Sequence, residues 1–342
     1  MKDFLGYKKG INLGGWLSQC VNSKKHYDTF IKENDIKEIK SWGVDHIRVP
    51  ISYELVEDEE GVYIEDGFKY IDKTIKWCNK YELNLIIDLH KTAGYSFDEI
   101  ESSVTFFENE NLQKRFISLW KELSERYGKY NEFVSFELLN EIVDSDVAEK
   151  WNDIANKAIV EIRKYAPYTK ILIGGVRNNC VSSVKMLDVP YDENIVYNFH
   201  FYEPTIFTHQ SAYWIKEMSE NFSISYPNYF SEIKDKTNKY LPVQHDEIFE
   251  GITINKFDKK FFEIVFSEAI QVAEDRNVPL YCGEYGVIDR ADVTSTLKWY
   301  ADINSVFEKY NIGRAAWNYK GKDFGITDEH YKPIFNNIIK LL

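Results

Sequence analysis

The chain has 342 residues, 44% hydrophobic and 28% charged, and its 42 Lys plus Arg against 55 Asp plus Glu leave a net charge of −13. This is ordinary globular composition, which excludes a wholly disordered chain, and the acidic balance excludes a protein that coats nucleic acid, which needs a basic face. No apolar run reaches the roughly 18 residues that would span a bilayer, so no membrane partner is expected.

In chain order, residues 1–10 carry no apolar h-region. No signal peptide is therefore expected: the protein stays in the cytoplasm, leaves by an unusual route, or has lost a leader. Short apolar runs that read as buried strands lie at 9–13, 44–49, 85–89, 133–139, 170–173, 195–199, 278–283 and 313–317. Helical spacing links Phe68, Ile71, Ile75 and Cys78, then Phe116, Leu119, Leu123 and Tyr127, then Phe262, Val265, Ala269 and Val272. Further helical stretches cover 33–42, 147–165, 293–310 and 333–342. Strands alternating with helices predict a parallel sheet, because parallel neighbours need crossovers. Eight such units close a (β/α)8 TIM barrel, here a single domain over 1–342. A doubly wound sheet is disfavoured, since Asn12-Leu13-Gly14-Gly15-Trp16 lacks the glycine spacing of a phosphate turn. The stretch 204–257 after the sixth strand is too long for a plain loop. It carries Phe207, Tyr213, Trp214, Phe222, Tyr226, Tyr229, Phe230 and Tyr240, and reads as an insertion subdomain on the rim. Cys20, Cys78, Cys180 and Cys282 form no C-x-x-C pair and read as reduced core thiols.

In a barrel the site residues hang from the C-terminal strand ends. Here those ends read Arg48-Val49-Pro50, Asp88-Leu89-His90, Leu139-Asn140-Glu141, His200-Phe201-Tyr202, Gly283-Glu284-Tyr285 and Trp317-Asn318. Polar groups after apolar runs are poor core, and so many on one rim mark a site. Two are glutamates, Glu141 and Glu284, and a carboxylate pair across a cleft is what glycoside hydrolysis requires.

The ordered set Arg48, His90, Asn140-Glu141, His200-x-Tyr202, Glu284 and Trp317 resembles glycoside hydrolase family 5, the cellulase family A. The stretches Gly10-Ile11-Asn12-Leu13-Gly14-Gly15-Trp16 and Tyr197-Asn198-Phe199-His200-Phe201-Tyr202, with Phe207-Thr208-His209-Gln210, resemble its endoglucanase C type of anaerobic bacteria. The resemblance runs from Gly10 nearly to the end. It departs at Ile142, where many relatives carry proline after the glutamate. It implies the same barrel, retention of anomeric configuration and no metal or other cofactor. It also implies Glu141 as acid/base and Glu284 as nucleophile, with Tyr202 and Arg48 as donors that aim Glu284. Asn140 then holds the sugar's 2-hydroxyl, and the Glu284 anion is expected to raise the pKa of Glu141.

His90 and His200 could be metal ligands, but no His/Cys cluster accompanies them; they read instead as substrate-hydroxyl donors or partners that orient a glutamate. Trp317 reads as a stacking floor for the sugar. Trp16, Trp214 and His209 lie on loops and divide between substrate contact and packing. Asp88 faces the barrel interior or a helix N-terminus and receives no catalytic role. The expected activity is a retaining endo-β-1,4-glucanase on cellulose-like or mixed-linkage chains, acting as a monomer. An exo-acting β-1,3-glucosidase and a mannanase are alternatives within the enzyme class, and a non-catalytic carbohydrate-binding barrel lies outside it.

Overall fold

The computed structural model describes residues 1–98, 105–218, 221–241 and 248–342. Each run of alternating apolar residues forms a strand: β1 (Lys9–Asn12), β2 (His46–Ser52), β3 (Asn84–Lys91), β4 (Val134–Glu137), β5 (Ile171–Gly174) and β6 (Ile195–Phe201). After a short antiparallel pair, β7 (Asn228–Tyr229) and β8 (Lys256–Phe257), come β9 (Leu280–Tyr285) and β10 (Gly313–Ala316). The eight longer strands close in the order β1-β10-β9-β6-β5-β4-β3-β2, every pairing parallel. This is the predicted (β/α)8 barrel.

Two of the three predicted stripes are buried whole; in the third, Val265 and Val272 are half-buried and Phe266 and Ala273 face inward instead. Helix Glu65–Tyr81 turns Phe68, Ile71, Ile75 and Cys78 inward, and Glu110–Tyr127 turns Phe116, Leu119, Leu123 and Tyr127. Helix starts are set by side-chain caps: Asn109 accepts from the Asn111 and Leu112 amides, Asp258 from Lys260 and Asp292 from Ser295. The crossover after β5 is different, closing through a 3-10 segment, Val181–Met186, rather than a long helix. Helix Lys24–Thr29 was not predicted, and it buries only Tyr27, so it leaves no periodic stripe.

Strand alternation stacks the barrel interior in layers. On β3 the inward face reads Ile86, Asp88, His90; on β6 it reads Val196, Asn198, His200. The lowest layer is apolar: Ile86, Leu172, Val196 and Ala315 pack with Tyr281, Phe4 and Tyr7. Phe4 and Tyr7 stack at 4.2 Å and close the bottom. Above them lies a polar layer around Arg48, and above that the mouth.

The stretch 204–257 holds the β7–β8 pair and helix Phe230–Tyr240. Its residues 219–220 and 242–247 lie outside the described residues, and so does that part of the predicted subdomain. Of its aromatics, Phe207, Tyr226 and Phe230 are buried, while Tyr213, Trp214 and Tyr229 are exposed. Among the described residues, no helix is long and apolar enough to cross a membrane.

Candidate active site

Arg48 anchors the mouth from below. β2 runs on to Ser52, so Arg48 lies inside the barrel rather than at the strand end the sequence suggests, and it is fully buried. Its Nε and Nη2 donate to the two oxygens of Glu137 at 2.7 and 2.8 Å. Nη1 donates to Asn12 Oδ1 at 2.9 Å and to Glu284 Oε1 at 2.6 Å. Nη2 also donates to Asn140 Oδ1 at 2.9 Å and lies 3.0 Å from Asp88 Oδ2. A buried guanidinium is tolerable only when its donors are answered in this way.

Glu284 ends the stack. Besides Arg48, the Tyr202 hydroxyl donates to its Oε2 at 2.9 Å. Burial, and then the charge of Glu284, push the Tyr202 phenol well above its ordinary pKa, so it remains a donor. Glu141 faces Glu284 but has different neighbours. Its Oε1 lies 2.8 Å from His200 Nδ1, and its Oε2 accepts from Asn178 Nδ2 at 3.2 Å. Its backbone carbonyl accepts from the Tyr95 hydroxyl at 2.7 Å. Burial pushes the Glu141 carboxyl up to about 7, against the downward pull of the Asn178 amide, His90 and Arg48. The sequence reading assigned this rise to the Glu284 anion; desolvation is the cause.

The two histidines divide. His200 Nε2 sits over the Gly283 backbone, where an added Cβ would lie 2.9 Å away. Through Nδ1 it contacts Glu141, and its approach to the backbone needs glycine at 283. Burial lowers its pKa to about 4, which leaves the ring neutral. His90 Nδ1 pairs with Asp88 Oδ2 at 2.6 Å, and its ring lies parallel to Trp317 with centroids 6.0 Å apart. His90 Nε2, His200 Nε2 and Asn140 Nδ2 are all buried without a protein partner, which marks them as groups awaiting a ligand. Trp317 is nearly buried, with Gly14 so close that a Cβ there would meet the indole at 2.4 Å.

The loop residues fare differently. Trp16 is fully buried, donates to the Tyr27 carbonyl at 2.9 Å and stacks on Trp77; it is core and offers no face to a sugar. His209 packs edge-on against Tyr202 at 5.1 Å and bonds Thr208 Oγ1 at 3.0 Å. Trp214 packs edge-on against His209 and is 44% exposed. A line of rings thus runs from the Glu284 partner Tyr202 out to an open indole. On the other side, beside His90, lies a cavity of about 220 Å³ lined by Ser18, Gln19, Asn22, Glu54, Lys91 and Asp98 among others.

Among the described residues, Glu141, His200 and Glu284 bring one ligand-type atom each within 4.8 Å of one another. That spacing could hold a cation, but the Arg48 guanidinium sits 2.6 Å from Glu284 and would repel one. Two glutamates at this separation, one on a cation and one desolvated, have the parts of a glycosidase.

The cellulase model, glycosyl hydrolase family 5, matches residues 7–323. The chain belongs to the cellulase family, glycosyl hydrolase family 5. It is 45% identical over 309 residues to cellodextrinase A of Ruminococcus flavefaciens, covering 90% of this chain and 84% of the relative. It is 41% identical over 344 residues to endoglucanase C of Acetivibrio thermocellus, covering 99% and 98%. The structure of Thermotoga maritima Cel5A in complex with mannotriose superposes with a TM-score of 0.76 at 26% identity, covering 98% and 97%. This family 5 hydrolase therefore acts on a carbohydrate.

Sequence reasoning gave no role to Glu137, Asn198, Asn12 or Asn178. Asn198 donates to Glu137 at 2.8 Å, and Asn12 to the Gly283 carbonyl at 2.9 Å. Glu137 lies in β4, at an inward position below the mouth, where it reads as an interruption of the apolar run 133–139. Asn178 carried no such signal.

Proposed function

We propose that this enzyme cleaves β-1,4-glucosidic bonds in cellulose-like or mixed-linkage glucans by double displacement, with Glu284 as nucleophile and Glu141 as acid/base. The observation that carries the reading is the close pair of carboxyls with unequal neighbours. Retaining enzymes hold the pair at about 5–5.5 Å, too close for an attacking water between them. Arg48 and Tyr202 stabilise negative charge on Glu284 and aim it at the anomeric carbon. Glu141, protonated below its raised pKa, delivers its proton to the departing oxygen. The ester then formed at Glu284 carries no charge. Glu141, now deprotonated, takes a proton from the incoming water, and the ester breaks with retention. Asn140 Nδ2 donates to a sugar hydroxyl, His90 Nε2 donates or accepts according to its tautomer, and Trp317 serves as floor.

The leaving-group half of the chain runs over Trp214 and the 204–257 segment, which acts as a side wall and subdomain of a single catalytic unit. The other half then enters the cavity beside His90. The enzyme acts as a monomer, without metal or nucleic acid. Product analysis on carboxymethyl-cellulose, barley β-glucan, laminarin and mannan, side by side, tests the assignment. Short β-1,4 oligosaccharides from the first two support it. Activity confined to laminarin overturns the linkage. Mannan is the second reading, favoured by the mannotriose complex of the Thermotoga maritima relative.

A further inference from the structure

The turn after β5 has an uncommon backbone. Arg177, Asn178 and Asn179 have φ of 57°, 54° and 58°, a left-handed run that L-residues avoid. Such a conformation persists only where its surroundings hold it. Asn179 is buried, and its Oδ1 accepts from the Gly175 amide at 3.0 Å. It fills the space over Gly174, where an added Cβ would lie 2.2 Å from that oxygen. The Asn178 N–H donates to the Ile142 carbonyl at 2.9 Å, and Ile142 follows Glu141. Cys180 bridges in parallel to His200. The turn is thus tied to the chain that carries Glu141 and to the strand that carries His200. The result is one contact, from Asn178 Nδ2 to Glu141 Oε2 at 3.2 Å.

We propose that Asn178 is a positioning residue for Glu141, whose amide fixes the carboxyl's orientation and favours its charged form, the form needed to activate water in the second step. This rests on the reading of Glu141 as acid/base. The chemistry of the two contacts differs. The neutral His200 ring can donate or accept at Nδ1, whereas an amide nitrogen only donates and so prefers a carboxylate. Other charged or titratable groups face Glu141 from every side: Arg48 from β2, Asp88 and His90 from β3, and Asp98 from the loop after β3. Tyr202 follows β6 and Glu284 lies on β9. Burial raises the carboxyl, and the Asn178 hydrogen bond opposes that rise.

The test is Asn178→Gly, which removes the amide and suits the positive φ, beside Asn178→Asp. The glycine variant should move the alkaline limb of kcat/KM up by ~0.5–1 pH unit, because losing a bond to the charged form raises the acid's pKa. It should also lower turnover of an activated aryl glycoside below neutrality, where the second step limits. The aspartate variant, with a like charge beside Glu141, should move the limb further. Wild-type profiles in both variants overturn the proposal. Glu141→Ala, assayed on the aryl glycoside with and without azide, tests the underlying reading. If that variant keeps glucan turnover, the reading and the inference both fall. If it loses turnover, azide restores it and the Asn178 variants behave as wild type, only the inference falls.

Discussion

The two sides of the cleft carry the same side chain in unlike surroundings. Glu284 stands on a charged layer, with Arg48 at 2.6 Å and, beyond it, Glu137 and Asp88 sharing the same guanidinium. Glu141 is equally withdrawn from solvent, but its direct contacts are the neutral groups His200 and Asn178. Where a cation answers the carboxylate, its charge is supported; where only neutral groups do, desolvation decides and the proton is held to about pH 7. On the proposed mechanism, two glutamates of similar burial take two roles from the charge of their neighbours.

Removing either carboxyl should have the largest effect. Glu284→Gln and Glu141→Gln are each expected to lower glucan turnover by roughly 10³-fold or more, about 4 kcal/mol in the barrier. An activated aryl glycoside should separate them. It needs little acid help, so the Glu141 variant should accumulate a glycosyl-enzyme visible by intact-mass spectrometry. Equal inactivation with no adduct would erase the contrast.

A smaller break is Tyr202→Phe, which takes one of two donors from Glu284. We expect kcat to fall ~10–100-fold with KM little changed. A loss of thermal stability without a kcat effect would make Tyr202 packing instead.

The contrast sharpens with pH. Glu141 must be protonated for the first step, so kcat/KM on unactivated glucan should fall as pH rises through about 7. A limb near the ordinary carboxylate range would mean that neighbours outweigh burial. The stability sign follows as well. A carboxyl whose pKa is raised in the fold costs stability above its unfolded value. Glu141→Gln should therefore raise Tm at pH 8 more than at pH 5.

Trp214→Ala is the mildest change. An exposed ring used only by a long substrate is worth ~3–10-fold in kcat/KM on soluble β-glucan. It should be worth nothing on an aryl cellobioside, with melting unchanged. An equal loss on both substrates would return Trp214 to the core of its segment.

How much of this could be read from the chain depends on the residue. His90, Glu141 and Glu284 end apolar runs, and that position announces them. Glu137 does not, because it sits within Phe133–Leu139 and looks like an interruption of a strand until Arg48 arrives from β2. Trp16 is a different case. Its loop position left it between sugar contact and packing, and Trp77 and Tyr27, far along the chain or around a turn, decide for packing.

The sequence by itself determined the barrel and the identity of its rim, because period-two runs alternating with helical stripes admit few closures, and strand ends in a closed parallel barrel share one face. The tertiary structure alone decided which buried groups meet. Arg48, Asp88, Glu137, Asn198 and Glu284 come from five strands spread over most of the chain. Only closure of the barrel brings these side chains within a few ångströms of one another, and only in that closed interior does desolvation raise the Glu141 carboxyl.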